Sequence, residues 1–184
     1  MANSRTPRNA WIDGGFRALA EGGPEAVRIE PLAKQLGVTK GGFYWHFDGR
    51  AALLEEMLDT WERTMVDEVI ERVESEGGGA PAKLRRLFAI GSSRTAQSFL
   101  SVELAIRDWA RRDGAVARRL RGVDNRRMDY MRTLFADFCP DSDEVEARCM
   151  VAFCLFIGTR FIAADNGPRT RAEVLDLTLR RLLA

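Results

Sequence analysis

The sequence contains a single histidine, His46, among its 184 residues. One imidazole is too few for a metal site built from several histidines, and a Ser-His-Asp triad would have to use His46 as its base. The Glu-x-x-His pairs of di-iron helical bundles are absent, as are the GxSxG, Walker A and Cys-x-x-Cys motifs. The sequence therefore predicts no enzyme, and we expect no catalytic residue, no metal and no cofactor.

Cysteine is also scarce, since only Cys139, Cys149 and Cys154 occur, without the spacing of metal ligands. This pattern favours buried, reduced thiols in a cytoplasmic protein. The amino terminus lacks the apolar segment of a secretory signal. The most apolar run, residues 150–157, is too short to cross a bilayer. We therefore expect a cytoplasmic protein that has no membrane partner.

An excess of charge is lacking as well, because 28 Lys and Arg stand against 27 Asp and Glu. Any basic surface must therefore be local. Eight arginines between Arg111 and Arg132 are interleaved with aspartates, which favours a solvated, salt-bridged helix face. The alternative is a site for an acidic ligand or a second DNA surface.

No β-type alternation persists, whereas apolar residues recur at helical spacing throughout the chain. After a first helix that ends at Gly22, helices are predicted over about 29–36, 39–47, 50–76, 82–91, 95–112, 115–138, 141–164 and 170–183. The predicted fold is all-α, with about nine helices. Three helices, in residues 4–64 with a helix-turn-helix at about 28–47, are joined by a long helix to a carboxyl-terminal bundle in 65–184.

Residues 37–47, GVTKGGFYWHF, form the most informative segment. Gly37 predicts a tight turn, and Thr39 is placed to cap the helix that follows. Phe43 and Phe47, four residues apart, would pack inward. Two short helices joined by such a turn can place the second one in the DNA major groove.

Residues 29–47, IEPLAKQLGVTKGGFYWHF, followed by Arg50 and Leu53, resemble the TetR family of transcriptional regulators. The resemblance covers about the first third of the chain. Three positions depart from the family pattern. Arg28 replaces a capping Ser or Thr, Gly42 stands where Thr, Ser or Ala is commoner, and Arg50 replaces Lys.

The resemblance implies that the third helix enters the major groove and contacts phosphates and base edges. The predicted DNA contacts are Arg28, Thr39, Lys40, Gly41, Gly42, Tyr44, Trp45, His46 and Arg50. For Tyr44 and Trp45 the alternative is core packing, and for His46 it is a structural hydrogen bond. Arg5 and Arg8 would form either an arm along the DNA backbone or a solvated tail.

The resemblance also implies an effector pocket in the bundle. Its candidate lining residues are Trp61, Met65, Phe88, Phe99, Arg107, Trp109, Met128, Met131, Phe135 and Phe153. This set favours a hydrophobic or aromatic small molecule, with Arg107 placed to orient an anionic group. Ordinary core packing is the alternative for each of these residues.

Residues 150–157 are apolar on all sides, so a helix there must be covered on two sides, of which one can be the core of the chain and the other a second copy. Helix-turn-helix regulators bind two half-sites as dimers, so we expect a homodimer with a four-helix isologous interface. The predicted interface residues are Phe153, Phe156, Ile157, Val174, Leu175, Leu179 and Leu182. The alternative is a monomer in which both helices are central.

Taken with the resemblance, these patterns predict a repressor that binds a palindromic operator as a homodimer and is released by an effector. A ligand-independent DNA-binding protein is the first alternative, and a helical-bundle enzyme is the weaker second one.

Overall fold

The computed structural model of the chain describes residues 6–92, 94–159 and 161–184, and within them only helices, turns and loops occur. The helices are α1 (Arg8–Gly22), α2 (Ile29–Gln35), α3 (Lys40–Phe43), α4 (Arg50–Glu62), α5 (Glu68–Ser75), α6 (Ala80–Ser92), α7 (Arg94–Ala110), α8 (Gly114–Ala136), α9 (Ser142–Gly158) and α10 (Arg171–Leu182). A π-helical turn, Arg63–Asp67, makes α4 and α5 one continuous helix. Counted in this way, the described ranges contain nine helices, and the predicted all-α fold is confirmed.

The first three helices enclose an aromatic core. Trp11 of α1 meets Phe43 edge-to-face, with the ring centroids 5.2 Å apart, and Phe43 stacks on Phe47 at 5.2 Å. All three side chains are buried, so the predicted inward packing of Phe43 and Phe47 is confirmed. Gly37, with φ of 68°, provides the predicted turn between α2 and α3 in a conformation that favours glycine.

Gly14 and Gly15 lie inside α1, where glycine ordinarily weakens a helix. At Gly15 the lack of a side chain has a structural reason. A Cβ added at Gly15 would lie 2.5 Å from the sulfur of the buried Met57, whereas one at Gly14 would lie 3.4 Å from Leu32. Gly15 therefore permits the close approach of α1 to α4.

We predict that Gly15→Ala lowers the free energy of unfolding by about 1–3 kcal/mol, because the added methyl overpacks the core and must displace Met57. Gly14→Ala is the matched control. Its added methyl makes only an ordinary van der Waals contact with Leu32, and alanine has a higher helix propensity than glycine. Urea titrations of the two variants measure the difference. Equal losses of stability would contradict the assigned role of Gly15.

The structure comprises two compact units. One consists of Met1–Glu68 and Arg94–Val123, and the other of Val69–Ser93 and Asp124–Ala184. In the first unit, α7 packs on α1, and Phe16 meets Phe99 at 6.0 Å. The core of the second includes Leu84, Phe135 and Cys149. The predicted division into 4–64 and 65–184 concerns the separation of functions and stays a prediction.

Two predicted helix ends are wrong. The amides of His46 and Phe47 both donate to the Phe43 carbonyl, at 2.9 and 3.1 Å, so α3 closes in a turn after Phe43 instead of reaching residue 47. The last turns predicted for α9 are missing, because the helix ends at Gly158. There the guanidinium of Arg171 donates to the Thr159 and Ile162 carbonyls, at 2.7 and 2.6 Å.

The helix caps are of different kinds. Thr170 and Glu173 form a capping box at α10, and the Asp141 side chain accepts a hydrogen bond from the Asp143 amide at α9. Thr39 lies at the cap position of α3 but its hydroxyl makes no capping bond, so that prediction is wrong. At this helix the turn geometry, rather than the side chain, sets the start.

The arginines between residues 111 and 132 include several that pair with neighbouring acids. Arg112 pairs with Asp108 at 2.7 Å, and Arg132 pairs with Asp129 at 2.6 Å. For these residues the salt-bridged interpretation is confirmed. In the described part of the chain, no helix is long and apolar enough to span a membrane, and no group of three His, Cys, Asp or Glu side chains is arranged to hold a metal ion.

Candidate nucleic-acid interface

The turn after α3 presents two aromatic side chains to solvent. Tyr44 is 52% exposed and Trp45 is 73% exposed, whereas their neighbours Phe43 and Phe47 are buried. The alternative in which Tyr44 and Trp45 belong to the core is therefore wrong. Large exposed aromatics of this kind favour a surface that meets a partner. The buried phenylalanines fix the position of this exposed pair.

The amino end of α3 is open. Thr39, Lys40 and Gly41 are exposed, and Gly42 is half-buried. A Cβ added at Gly42 would meet no atom within 4 Å. The glycines therefore leave room for another molecule to come close to the backbone.

Lys40 forms an ion pair with Glu30 of α2, with Nζ 2.8 Å from the carboxylate. The hydrogen bond from Lys40 lowers the pKa of Glu30, and the same bond raises the pKa of Lys40. Both groups stay charged at neutral pH. To reach a phosphate, Lys40 must exchange the carboxylate of Glu30 for the phosphate oxygen.

The residues that flank α3 differ in how far they contact the rest of the chain. Arg28 is exposed at the start of α2 and, as expected for arginine, provides no side-chain cap. His46 is half-buried, and its carbonyl accepts a hydrogen bond from Arg8. The guanidinium of Arg8 lies 4.4 Å from the Phe47 ring centroid and 3.1 Å from Glu56. Arg8 is therefore not a solvated tail residue, and Arg5 lies outside the described residues.

Arg50 has a structural role that the sequence pattern did not reveal. Its Nε donates to the Val27 carbonyl at 2.7 Å, and its Nη2 donates to the carbonyl of Pro24. Both carbonyls lie just before α2, so Arg50 ties the first turn of α4 to the entrance of the helix-turn-helix. Its DNA contact stays a prediction, while the observed bonds are those of a positioning residue.

The predicted pocket residues fall into both compact units. Trp61, Met65, Phe99, Arg107 and Trp109 belong to the first unit, and Phe88, Met128, Met131, Phe135 and Phe153 belong to the second. In the second unit, Met131 and Phe135 are part of the buried core, and the other three pack against it. The structure thus brings the second subset together around one core.

In the first unit, the sequence analysis missed a buried carboxylate. Glu103 is 2% exposed and accepts a hydrogen bond from the Trp61 indole at 2.9 Å. It also accepts two bonds from Arg107, at 3.0 and 2.8 Å. Arg107, expected to orient an anionic ligand, is thus engaged with an acid of its own chain. A Glu and an Arg four residues apart in an apolar helix were the available signal.

A cleft of about 340 Å³ lies in the second unit, where α8 is followed by α9. Its lining includes Arg132, Cys139, Ser142 and Glu146, and no predicted pocket residue. Arg132 pairs with Glu146 across this cleft. The cleft therefore gives no support to the predicted lining set.

The description "Bacterial regulatory proteins, tetR family" belongs to the family model that matches residues 12–57, which contain α2, α3 and the start of α4. The chain is similar to the uncharacterized HTH-type transcriptional regulator TtgW of Pseudomonas putida, with 24% identity over 132 residues, 71% of this chain and 96% of that one.

Two solved structures show the same fold. A transcriptional regulator from Rhodococcus sp. Rha1 superposes with a TM-score of 0.72 at 19% identity, covering 97% of this chain and 94% of that one. FadR from Bacillus subtilis, in complex with stearoyl-CoA, superposes with a TM-score of 0.68 at 16% identity, covering 96% and 97%. Residues 12–57, which carry the helix-turn-helix described above, thus match the TetR family of transcriptional regulators, and the chain shares its fold with the two solved regulators.

Proposed function

We propose that the protein is a repressor that binds a palindromic operator as a homodimer. The observation that carries the proposal is the surface of α3 and its following turn. There Lys40, Tyr44 and Trp45 are exposed, whereas Phe43 and Phe47 in the same segment are buried. Such a rigidly supported polar and aromatic surface suits phosphate and base-edge contacts in a major groove.

The proposed homodimer involves α9 and α10. Met150 and Val151 of α9 are 56% and 51% exposed, although both are apolar. The predicted residue Phe156 is half-buried, with its ring 3.3 Å from a Cβ built on Gly91 and 5.7 Å from the Arg127 guanidinium. We therefore propose that Met150 and Val151 extend the predicted interface and lie at its centre. A second copy of the same face would cover them symmetrically.

The remaining predicted interface residues are mostly part-covered within one chain. Phe153, Ile157, Val174, Leu175 and Leu179 are half-buried, and Leu182 is buried. In a four-helix interface, the two helices of a second copy would cover the exposed parts of these apolar side chains. The set stays a proposal together with Met150 and Val151.

The proposed effector is a small hydrophobic or aromatic molecule bound within the bundle. The aromatic and methionine side chains in the two candidate subsets support an apolar ligand. The structural neighbour FadR is in complex with stearoyl-CoA, whose acyl chain is apolar. A coupling of about 1–3 kcal/mol would change operator affinity roughly 5- to 150-fold. Arg107 already pairs with Glu103, which favours the alternative of a DNA-binding protein that needs no ligand.

Lys40→Ala tests the DNA-binding surface before any operator is known. Non-specific affinity for a random duplex should fall, because each subunit loses one phosphate contact. For the same reason the slope of log K against log salt should decrease in magnitude by about 1 per subunit. Fluorescence anisotropy at several salt concentrations measures both quantities. Arg181→Ala, which removes an exposed charge from α10, is the control and should leave the slope unchanged. Equal slopes for the wild type and the Lys40 variant would exclude Lys40 from the interface.

A further inference from the structure

Arg119 of α8 binds three acidic residues of α4. Its Nη1 lies 2.8 Å from the Glu55 carboxylate, its Nη2 pairs with Asp59, and its Nε pairs with Glu62. The Arg119 side chain is only 23% exposed. Every nitrogen of the guanidinium is therefore used, and all partners lie on another helix.

The three acids are spaced four and three residues apart, so they share one face of α4. Without Arg119, three carboxylates would stand close together without a shared counter-charge. A planar guanidinium can serve several carboxylates at fixed angles, whereas a lysine ammonium acts as a point charge. The pairing therefore defines where α4 lies against α8 within the first unit.

The same helix α4 holds the DNA-binding surface through two other residues. Arg50 donates to the Val27 and Pro24 carbonyls before α2. Glu56 pairs with Arg8, which in turn donates to the His46 carbonyl in the turn after α3. A shift of α4 would therefore move the surface that carries Tyr44 and Trp45.

We propose that Arg119 is a positioning residue for operator recognition. By fixing α4 on α8, it holds α3 in the orientation that matches an operator half-site. Rigid placement improves affinity because less order must be imposed when the DNA binds. This inference rests on the proposed sequence-specific DNA binding.

The test compares Arg119→Gln with Arg118→Gln, which removes the neighbouring exposed arginine of α8. Affinity for the selected operator should fall roughly 2- to 30-fold for the Arg119 variant, the range that positioning networks show. Affinity for a random duplex, its salt slope and the far-UV helicity should stay as in the wild type. The Arg118 variant should match the wild type in all four measurements.

A triple variant, Glu55→Gln, Asp59→Asn and Glu62→Gln, keeps the result interpretable if Arg119→Gln is poorly folded. In that background Arg119→Gln should produce no further loss of operator affinity, since its partners are gone. Unchanged operator affinity for Arg119→Gln, or an equal loss for operator and random duplex, would overturn the inference. If the wild type itself selects no operator, the proposed function fails instead.

Discussion

Tyr44→Ala is expected to lower operator affinity by a factor of about 10² to 10⁴, with the dimer and its helicity intact. A hydrogen bond to a charged group contributes about 1.5–3 kcal/mol, and both subunits of the proposed homodimer lose it. Tyr44 is 52% exposed, so its removal leaves most of the core contacts in place. Anisotropy titrations with the selected operator measure the loss, and circular dichroism checks the fold.

Tyr44→Phe separates the two parts of this effect. The phenyl ring keeps the edge-to-face contact with Phe43, whose centroid lies 5.4 Å away, while the hydroxyl is lost. If the hydroxyl binds a phosphate, Tyr44→Phe should lose nearly as much affinity as Tyr44→Ala. An operator affinity within twofold of the wild type in the alanine variant would remove Tyr44 from the interface.

The second large effect is expected for Val151→Glu, which should convert the proposed homodimer to monomers. A twofold axis places two new carboxylates in one apolar interface, and an unpaired charge removed from water costs several kcal/mol. Sedimentation velocity at micromolar concentration measures the mass. Ala89→Glu, an exposed position on α6, is the matched control and should stay dimeric. An unchanged mass for Val151→Glu would move the interface away from α9.

Cysteine labelling gives an independent measure of the same interface. Cys154 is exposed in the single chain, whereas Cys139 and Cys149 are buried. Burial raises the pKa of the Cys149 thiol to about 11, so this thiol stays neutral and slow to react at pH 8. Cys154 should be protected in the dimer and react rapidly in the Val151 variant, with Cys149 slow in both. Rapid labelling of Cys154 in the wild type would contradict this interface.

The helix-turn-helix could be predicted because its signals are local. Phe43 and Phe47 are one helical turn apart, and Gly37 supplies the turn between α2 and α3. Short-range spacing of this kind determines which side chains face inward. A second local signal is the run of three consecutive aromatics, Phe43, Tyr44 and Trp45, since one small core cannot accept all of them and at least one must be exposed.

The long-range partners of Arg50, Glu103 and Arg119 could not be predicted in the same way. Arg50 bonds to carbonyls 23 and 26 residues earlier in the chain, and Glu103 accepts from an indole 42 residues away. Helical periodicity identifies the buried face of a helix but not the helix that covers it. For Arg119, the interleaved aspartates favoured partners on its own helix, and the structure pairs it with α4 instead.

Thr39 makes no capping bond, and α3 and α9 end earlier than predicted. These differences have a related cause. Backbone groups at these ends are satisfied by turns or by Arg171, and such bonds depend on tertiary placement. Propensity and spacing indicate where a helix exists more reliably than where it ends.

The most direct test of sequence-specific recognition by α3 is selection of bound duplexes from a random DNA pool with the purified protein. We expect enrichment of a palindrome with fixed half-site spacing, and loss of this enrichment in the Tyr44→Ala variant. A folded wild-type protein that enriches no sequence would contradict sequence-specific DNA binding by α3.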